Sequence, residues 1–412
     1  MFKRFSSFVL LILICLMSIP VSALPTDPLI EAPSAILLEL KRGQILYSKN
    51  LNEPLHIAAA SKLMAALIAL EKTDGNTMIT ASKDAVNAKE AMLDMTVGEK
   101  YSADSLIYAS MLSNSNDATI ALAEAVGGSV ENFVKLMNDY AASINMTSTV
   151  FVNPTGEYDE KQRTTANDLA KLLRHALTTN IEFDTVFSSQ AKPWFDEEKT
   201  LVLTNLNEMF WSYEGVDGGK VGYNDPKYQS VITTVSRGQQ RLLCLLLDSP
   251  ANSMYTDSMK LLDHGFNNFR ISILASKDQP MVDLNIEGHD ISLVAGTDLY
   301  YTHPIGVNYI QETKFEPLTS AHKIPLYKNT LMGTIKFTLT DSTVMAVDLF
   351  PDKEILPELT LFEKMKRRIF EYKELAYIVI GLGIIETFLF LYKTYKFFYR
   401  HFSKSKKKAQ HD

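Results

Sequence analysis

Two hydrophobic periods alternate along the middle of the chain. Alternation of apolar and polar residues predicts a β-hairpin with strands at 35–40 and 44–47, joined by a turn that contains Gly43. Helical spacing of apolar residues predicts helices at 58–72, at 102–125 with an interruption at 114–117, and at 165–177. Two strands are then predicted at 222–236 and 241–248. Helices placed among antiparallel strands indicate an α+β domain.

A change of period near residue 270 predicts a second domain. Helical spacing largely stops there, and Ile335, Phe337 and Leu339 alternate with polar residues. Similar short runs recur at 291–294, 298–301 and 343–349. We therefore expect a small all-β domain over residues 271–356, following a first domain over residues 24–270.

Apolar segments at both ends predict export and a membrane anchor. Residues 1–23 have the form of a secretory signal peptide, with a basic start, an apolar run at 8–19 and small residues before a cleavage point; the alternative is a retained N-terminal anchor. Residues 375–392 are apolar enough, near the lower length limit, for one transmembrane helix. The basic tail at 393–412 fits the cytoplasmic side, although basic residues also precede the span. The signal peptide decides the orientation, so we expect a single-pass cell-membrane protein with its bulk outside the cytoplasm.

Polar residues around the predicted span raise two further questions. Residues 357–374 form an amphipathic pattern suited to the outer membrane–water boundary. The alternative is an ordinary surface helix that docks on the β domain. Glu386 lies within the span, where a charge is costly, so it faces either a partner helix or water.

Composition narrows the classes of function. The 412 residues suit two domains, and a net charge of −7 with no broad basic face excludes nucleic acid as an expected partner. The eight histidines show no metal-ligand spacing and no glycine-rich phosphate loop is present, so we expect neither metal nor cofactor. After signal cleavage only Cys244 would remain, inside an apolar run, which predicts a buried core residue and no internal disulfide.

Several segments resemble, in order and spacing, the serine-type D-alanyl-D-alanine carboxypeptidases, which are low-molecular-mass penicillin-binding proteins. The matching segments begin with the hairpin and continue through Asn52-Glu53-Pro54, Lys62-Leu63-Met64, residues 97–101, Asn116-Asp117-Ala118, residues 151–154, residues 165–170, residues 215–218, Lys220 and residues 261–266. The resemblance covers nearly all of residues 30–356. It implies a β-lactamase/transpeptidase-like domain, then a small β domain, with peptidoglycan stem peptides as the ligand class.

The first family motif, Ser-x-x-Lys, has lost its nucleophile in this sequence. The resemblance places Lys62 at the motif lysine, and three residues earlier the chain has Ala59. A methyl group has no lone pair, so residue 59 cannot form an acyl-enzyme. Ser61 is the alternative nucleophile, but it is adjacent to Lys62 and neighbouring helical residues point about 100° apart.

The second motif, Ser-x-Asn, is also altered. Asn116 matches the motif asparagine, which the resemblance implies would hold the substrate amide, but Asn114 occupies the serine position. An amide is a poorer proton relay than a hydroxyl. A shift of one residue would bring Ser113 or Ser115 near the site.

The third motif, Lys-Thr-Gly, appears as Lys220, Val221 and Gly222, and the resemblance implies that Lys220 gives the binding cleft a positive charge. Val221 keeps the branched shape suited to a strand but lacks the hydroxyl that the resemblance implies would bind the substrate carboxylate. Losing one hydrogen bond to a charged group typically costs about 1.5–3 kcal/mol, so binding is expected to weaken without vanishing. Thr155 is a fourth departure, since the family often has histidine there.

Three hypotheses for the function follow. The first is a pseudoenzyme that keeps the carboxypeptidase fold and binds peptidoglycan stem peptides or a partner protein. The second is an active carboxypeptidase with a relocated nucleophile. The third is a structural membrane protein with a spacer ectodomain, whose Glu386 and lysine tail engage a cell-wall or division protein.

Overall fold

The computed structural model describes residues 26–56, 58–195, 200–223, 228–318, 324–357 and 360–408. The predicted signal peptide and the last four residues of the predicted tail lie outside them. By their contacts the described residues form two units. The first comprises the residues up to Ser276 with Asp298–Thr313 and Phe337–Met345, and the second comprises Lys277–Thr297, Lys314–Lys336 and the residues from Ala346 onwards.

A five-stranded antiparallel sheet forms the centre of the first unit. Its strands are β1 (Ser34–Glu39), β2 (Gln44–Lys49), β7 (Val216–Tyr223), β8 (Tyr228–Arg237) and β9 (Gln240–Pro250), in the order β2-β1-β9-β8-β7. The run Leu242–Leu247 within β9 is buried throughout, because apolar layers cover both faces of the sheet. Cys244 lies in this run as a free, buried thiol, as predicted.

In the described part of this unit, nine helices and two short hairpins accompany the sheet. The helices are α1 (Ala58–Lys72), α2 (Lys83–Val86), α3 (Ala103–Leu112), α4 (Asn116–Gly127), α5 (Val130–Ser143), α6 (Ala166–Thr179), α7 (Ile181–Phe187), α8 (Met209–Ser212) and α9 (Met254–Asn268). The hairpins pair β3 (Met78–Thr80) with β4 (Lys100–Ser102) and β5 (Ala191–Phe195) with β6 (Thr200–Thr204). Every residue of α1 from Ala59 to Ala69 is buried, so α1 is the central helix of the domain.

The predicted interruption at 114–117 is a sharp break between two helices. Helix α3 ends at Leu112 and α4 begins at Asn116. Asn114 has φ of +57°, a left-handed conformation that asparagine tolerates better than most residues. The break leaves the side chains of Asn114 and Asn116 at the end of two helices, beside α1 and β7.

One strand prediction was wrong. The segment 222–236 is not a single strand, because β7, described to Tyr223, pairs antiparallel with β8, described from Tyr228. The sequence between them contains Asn224, Asp225 and Pro226, which are turn-forming residues, and proline cannot donate a hydrogen bond to a sheet.

Strands of the C-terminal part form the expected all-β arrangement. They are β10 (Phe269–Ala275), β11 (Pro280–Ile286), β12 (His289–Ala295), β13 (Leu299–Pro304), β14 (Ile310–Pro317), β15 (Gly333–Leu339) and β16 (Val344–Pro351). A five-stranded sheet has the order β11-β12-β16-β15-β14, and β10 pairs with β13. The alternating burial of β15 matches the predicted alternation of its residues.

Two helices follow the β strands. Helix α10 (Leu361–Glu371) begins at a capping box in which Thr360 and Glu363 exchange hydrogen bonds. Helix α11 (Lys373–Lys408) continues without a break across the predicted boundary between span and tail. Its segment Tyr377–Arg400 is long and apolar enough to cross a membrane.

Candidate active site

A cavity of about 330 Å³ opens where α1, β7 and the break between α3 and α4 meet. Five predicted site residues line it: Ala59, Lys62, Asn114, Asn116 and, on β7, Gly222. The remaining lining residues are His56, Ala58, Lys89, Glu90, Thr155, Gly156, Glu157, Tyr158 and Tyr223. The three motif segments, far apart in the sequence, therefore meet around one space.

Ala59 lies at the first turn of α1, against the strand β7. A Cβ atom added to Gly222 would lie 2.7 Å from the Ala59 Cβ and 2.6 Å from the Ala59 backbone nitrogen. Only glycine permits β7 to approach the helix this closely. Gly156, with φ of +84°, makes a similar close approach to the backbone of Ala58. The start of α1 is thus held between two backbone segments, with the Ala59 methyl at the cavity wall.

Lys62 lies one turn along α1 and is only 6% exposed. Its ammonium donates a hydrogen bond to Asn116 Oδ1 at 2.6 Å and a short one to the Thr155 carbonyl. Burial lowers the pKa of Lys62 from 10.5 to about 8, although the negative charges of Glu90 and Glu157 oppose the shift. An amine that titrates near neutral pH can both hold a carboxylate and accept a proton.

The lowered pKa of Lys62 predicts a rise of stability with pH. The unfolded chain binds more protons than the folded chain between pH 8 and 10.5, so the free energy of unfolding should increase across that window, by roughly 3 kcal/mol from this group. A Lys62→Met variant should lose this part of the increase. Urea unfolding of the full chain in detergent at pH 8, 9 and 10 measures it, and parallel curves for both proteins would contradict the assignment.

Lys220 does not line the cavity, which differs from the expectation that it charges the binding cleft. The side chain is 1% exposed, and its ammonium donates to Asn114 Oδ1 at 2.7 Å, to the Met111 carbonyl at 2.8 Å and to the Ser110 carbonyl at 3.2 Å. Those carbonyls belong to the last turn of α3, where helical partners are missing. Burial, and then the charge of Lys62, hold the pKa of Lys220 well below its usual value. Lys220 therefore caps α3 behind the cavity wall.

The two asparagines tie the break between α3 and α4 to its surroundings. Asn114 accepts from Lys220 and donates through Nδ2 to the Val221 carbonyl at 3.0 Å. Asn116 accepts from Lys62 and donates to the Lys89 carbonyl at 2.9 Å. Each amide uses both its donor and its acceptor, so neither is a free proton relay. Val221 is buried and does not line the cavity.

The serines considered as replacements do not reach the cavity. Ser61, Ser113 and Ser115 are absent from its described lining. Ser61 is 1% exposed, and its hydroxyl has no hydrogen-bond partner among the described residues. Ser115 donates a short hydrogen bond to Asp117. No serine or cysteine side chain therefore faces Lys62 from the described wall of the cavity.

Sequence reasoning missed most of the cavity rim. His56 and Tyr158 have ring centroids 5.2 Å apart, and Lys89 lies 4.0 Å from Glu157 across the opening. These residues lie in loops, where no periodicity predicts their position. The only related signal in the sequence was the family match at residues 151–154, which contains Asn153 and Pro154. The rim carries both signs of charge, which suits a ligand with both an anionic and a cationic group.

Comparison with known proteins agrees with this geometry. The family model described as D-alanyl-D-alanine carboxypeptidase matches residues 22–251, and that of the penicillin-binding protein 5 C-terminal domain matches residues 271–356. The chain is 26% identical over 354 residues to the D-alanyl-D-alanine carboxypeptidase DacF of Bacillus subtilis, covering 82% of this chain and 89% of that one. It is 27% identical over 344 residues to DacC of Escherichia coli, covering 78% and 85%.

Solved structures show the same fold. The crystal structure of penicillin-binding protein 5 from Haemophilus influenzae matches 81% of this chain and all of that chain, with a TM-score of 0.68 at 23% identity. The match extends over the transpeptidase-like domain and the C-terminal β domain. With a family model that covers more than half of its length, the chain belongs to the D-alanyl-D-alanine carboxypeptidase family of low-molecular-mass penicillin-binding proteins.

Proposed function

We propose that this chain is a catalytically silent carboxypeptidase homologue that binds a peptidoglycan stem peptide without cleaving it. The observation that carries the proposal is Ala59, whose methyl group lies at the cavity wall one turn before Lys62. Acyl transfer by this family requires an oxygen nucleophile at that point. The hydroxyls lining the described cavity belong to Thr155, Tyr158 and Tyr223, and none of them lies on α1.

Ligand binding is supported by what remains of the cavity. Lys62 supplies a positive charge for a peptide carboxylate, and Gly222 keeps the edge of β7 close to α1. Val221 is buried away from the cavity and Lys220 lies behind its wall, so neither side chain offers the ligand a hydrogen bond, and this reduces the affinity. One lost charged hydrogen bond corresponds to roughly 10- to 100-fold weaker binding than in an active relative.

We also place the chain at the membrane, with the transpeptidase-like domain outside the cytoplasm. The support is the apolar segment Tyr377–Arg400, whose most apolar stretch has no buried residue in the described chain. In α10 the apolar residues Leu361, Phe362 and Phe370 are exposed, and the helix also carries basic residues, as in a helix that lies at a membrane surface.

Three measurements on the full chain in detergent test the proposal. A fluorescent penicillin should leave no covalent band, and incubation with a stem pentapeptide should release no D-alanine. The same peptide should shift the NMR signal of the Ala59 methyl in a chain labelled at alanine methyl groups. A covalent band would overturn the silent site, and an unshifted methyl at millimolar peptide would support the spacer function instead.

A further inference from the structure

A second cavity of about 590 Å³ lies between the β1–β2 hairpin, α6 and the turn that follows α5. It shares none of its described lining residues with the cavity at Ala59. We call it the hairpin groove. Its floor is lined by apolar side chains, of which Ile45 of β2 and Ile144 after α5 are partly exposed, whereas Ile36 and Leu38 of β1 are almost fully buried. Ile45 is 46% exposed on the outer strand of the sheet, so the floor is open to solvent.

Every charged side chain that lines the described hairpin groove is basic. Arg42, Lys171 and Arg174 line it with His175, and no carboxylate does. Arg42 pairs with Glu39 at 3.0 Å and Lys171 pairs with Asp168 at 2.8 Å. Both acids are almost fully buried behind the cations, so they balance charge without facing the groove.

Arg174 is the cation whose charge remains available. It is exposed, and its one hydrogen bond from the guanidinium among the described residues goes to the Lys41 carbonyl at 3.3 Å. A guanidinium has five N–H donors, so most are left for a ligand. A Cβ on Gly43 would lie 2.7 Å from Arg174 Nε, and the glycine therefore lets the guanidinium lie flat against the hairpin turn. The close contact with Gly43 therefore places the Arg174 guanidinium at the edge of the apolar floor.

We propose that the hairpin groove docks a peptide segment of a partner protein that carries apolar and acidic side chains. Arginine binds carboxylates in a bidentate geometry, and an isoleucine-lined floor removes apolar side chains from water. A phosphate-rich wall polymer would satisfy the cations but would leave the apolar floor without a ligand. The inference does not depend on the ligand of the Ala59 cavity, because the two sites share no residue.

Selection from a random peptide library tests this surface. The full chain in nanodiscs of neutral phosphatidylcholine is used to select phage-displayed 12-residue peptides, and recovered sequences are synthesised for affinity measurement. We expect peptides that combine acidic and apolar residues. Arg174→Glu should weaken their binding at least 10-fold, and Ile45→Asp should do the same through the floor. Lys83→Glu is the matched control, since Lys83 is exposed and lines neither cavity.

Three outcomes would overturn the proposal. The first is a selection that yields no acidic peptides, and the second is an Arg174→Glu variant that binds them as tightly as the natural chain. The third is polyphosphate binding to the groove when the peptides do not bind. Unchanged melting temperatures establish that the variants fold. Arg174→Glu should also leave the stem-peptide shift of the Ala59 methyl intact, so a failure at either site is distinguished from a failure at the other.

Discussion

An Ala59→Ser variant is expected to form a covalent adduct with a fluorescent penicillin, although the natural chain forms none. The new hydroxyl would lie one helical turn before Lys62, on the same face of α1. Burial already lowers the pKa of the Lys62 ammonium to about 8, so a substantial fraction of the amine is free at pH 8 to accept the hydroxyl proton. A labelled band on a gel measures the effect directly.

This adduct should form slowly. Asn114 holds the position of a proton-relaying serine, and its amide is already engaged by Lys220 and the Val221 carbonyl. Positioned acid–base groups typically contribute about 100- to 10,000-fold to a rate. Adding Asn114→Ser to Ala59→Ser should therefore accelerate labelling by at least 10-fold.

A double variant provides the control. Ala59→Ser with Lys62→Met keeps the hydroxyl and removes the base, so labelling should fall to background. Equal labelling with and without Lys62 would mean that the penicillin reacts elsewhere. An unlabelled but folded Ala59→Ser protein would show that the missing oxygen is not the main defect of the site.

A Lys220→Met variant is expected to lose roughly 3 kcal/mol of unfolding free energy or more, the largest stability effect that the site predicts. Methionine fills a similar volume but donates no hydrogen bond. The Ser110 and Met111 carbonyls and Asn114 Oδ1 would then lack the partner that they have now. Buried acceptors left without a donor typically cost about 1–3 kcal/mol each, and relaxation of the chain recovers part of the loss.

Thermal unfolding of the full chain in detergent measures this loss. The matched control is Lys83→Met, which removes an exposed lysine from the start of α2 and should leave the melting temperature within about a degree. If Lys220→Met has the same melting temperature as the natural chain, Lys220 does not cap α3. Its burial would then need another explanation.

The fold followed from the sequence wherever one periodicity ran without interruption. The hairpin strands were predicted within about two residues, and Thr165 was placed at the start of the third helix, where its hydroxyl accepts from the Asp168 backbone at 3.1 Å. The strand prediction at 222–236 failed because apolar β-branched residues on both sides hid the turn-forming residues between them.

The site was predictable only where family motifs fixed the register. Ala59, Lys62, Asn114 and Asn116 were named from their spacing, and the structure brings all four to one cavity. The direction of the Lys220 side chain was not predictable. A strand residue can point to either face of the sheet, and the periodicity of the strand does not show which polar atoms lie within reach on that face. The charged residues of the cavity rim were not predicted either, because Lys89, Glu90 and Glu157 lie in loops, where no periodicity indicates their position.

The unbroken length of α11 sets where the basic tail ends. Its 36 residues correspond to a rod of about 54 Å, while the hydrocarbon core of a bilayer is about 30 Å thick. If Tyr377–Arg400 crosses the membrane, residues 401–408 continue the helix for about two turns beyond the span. Lys404, Lys406, Lys407 and Lys408 would then lie on a helix that continues past the span, and they would not lie along the lipid surface.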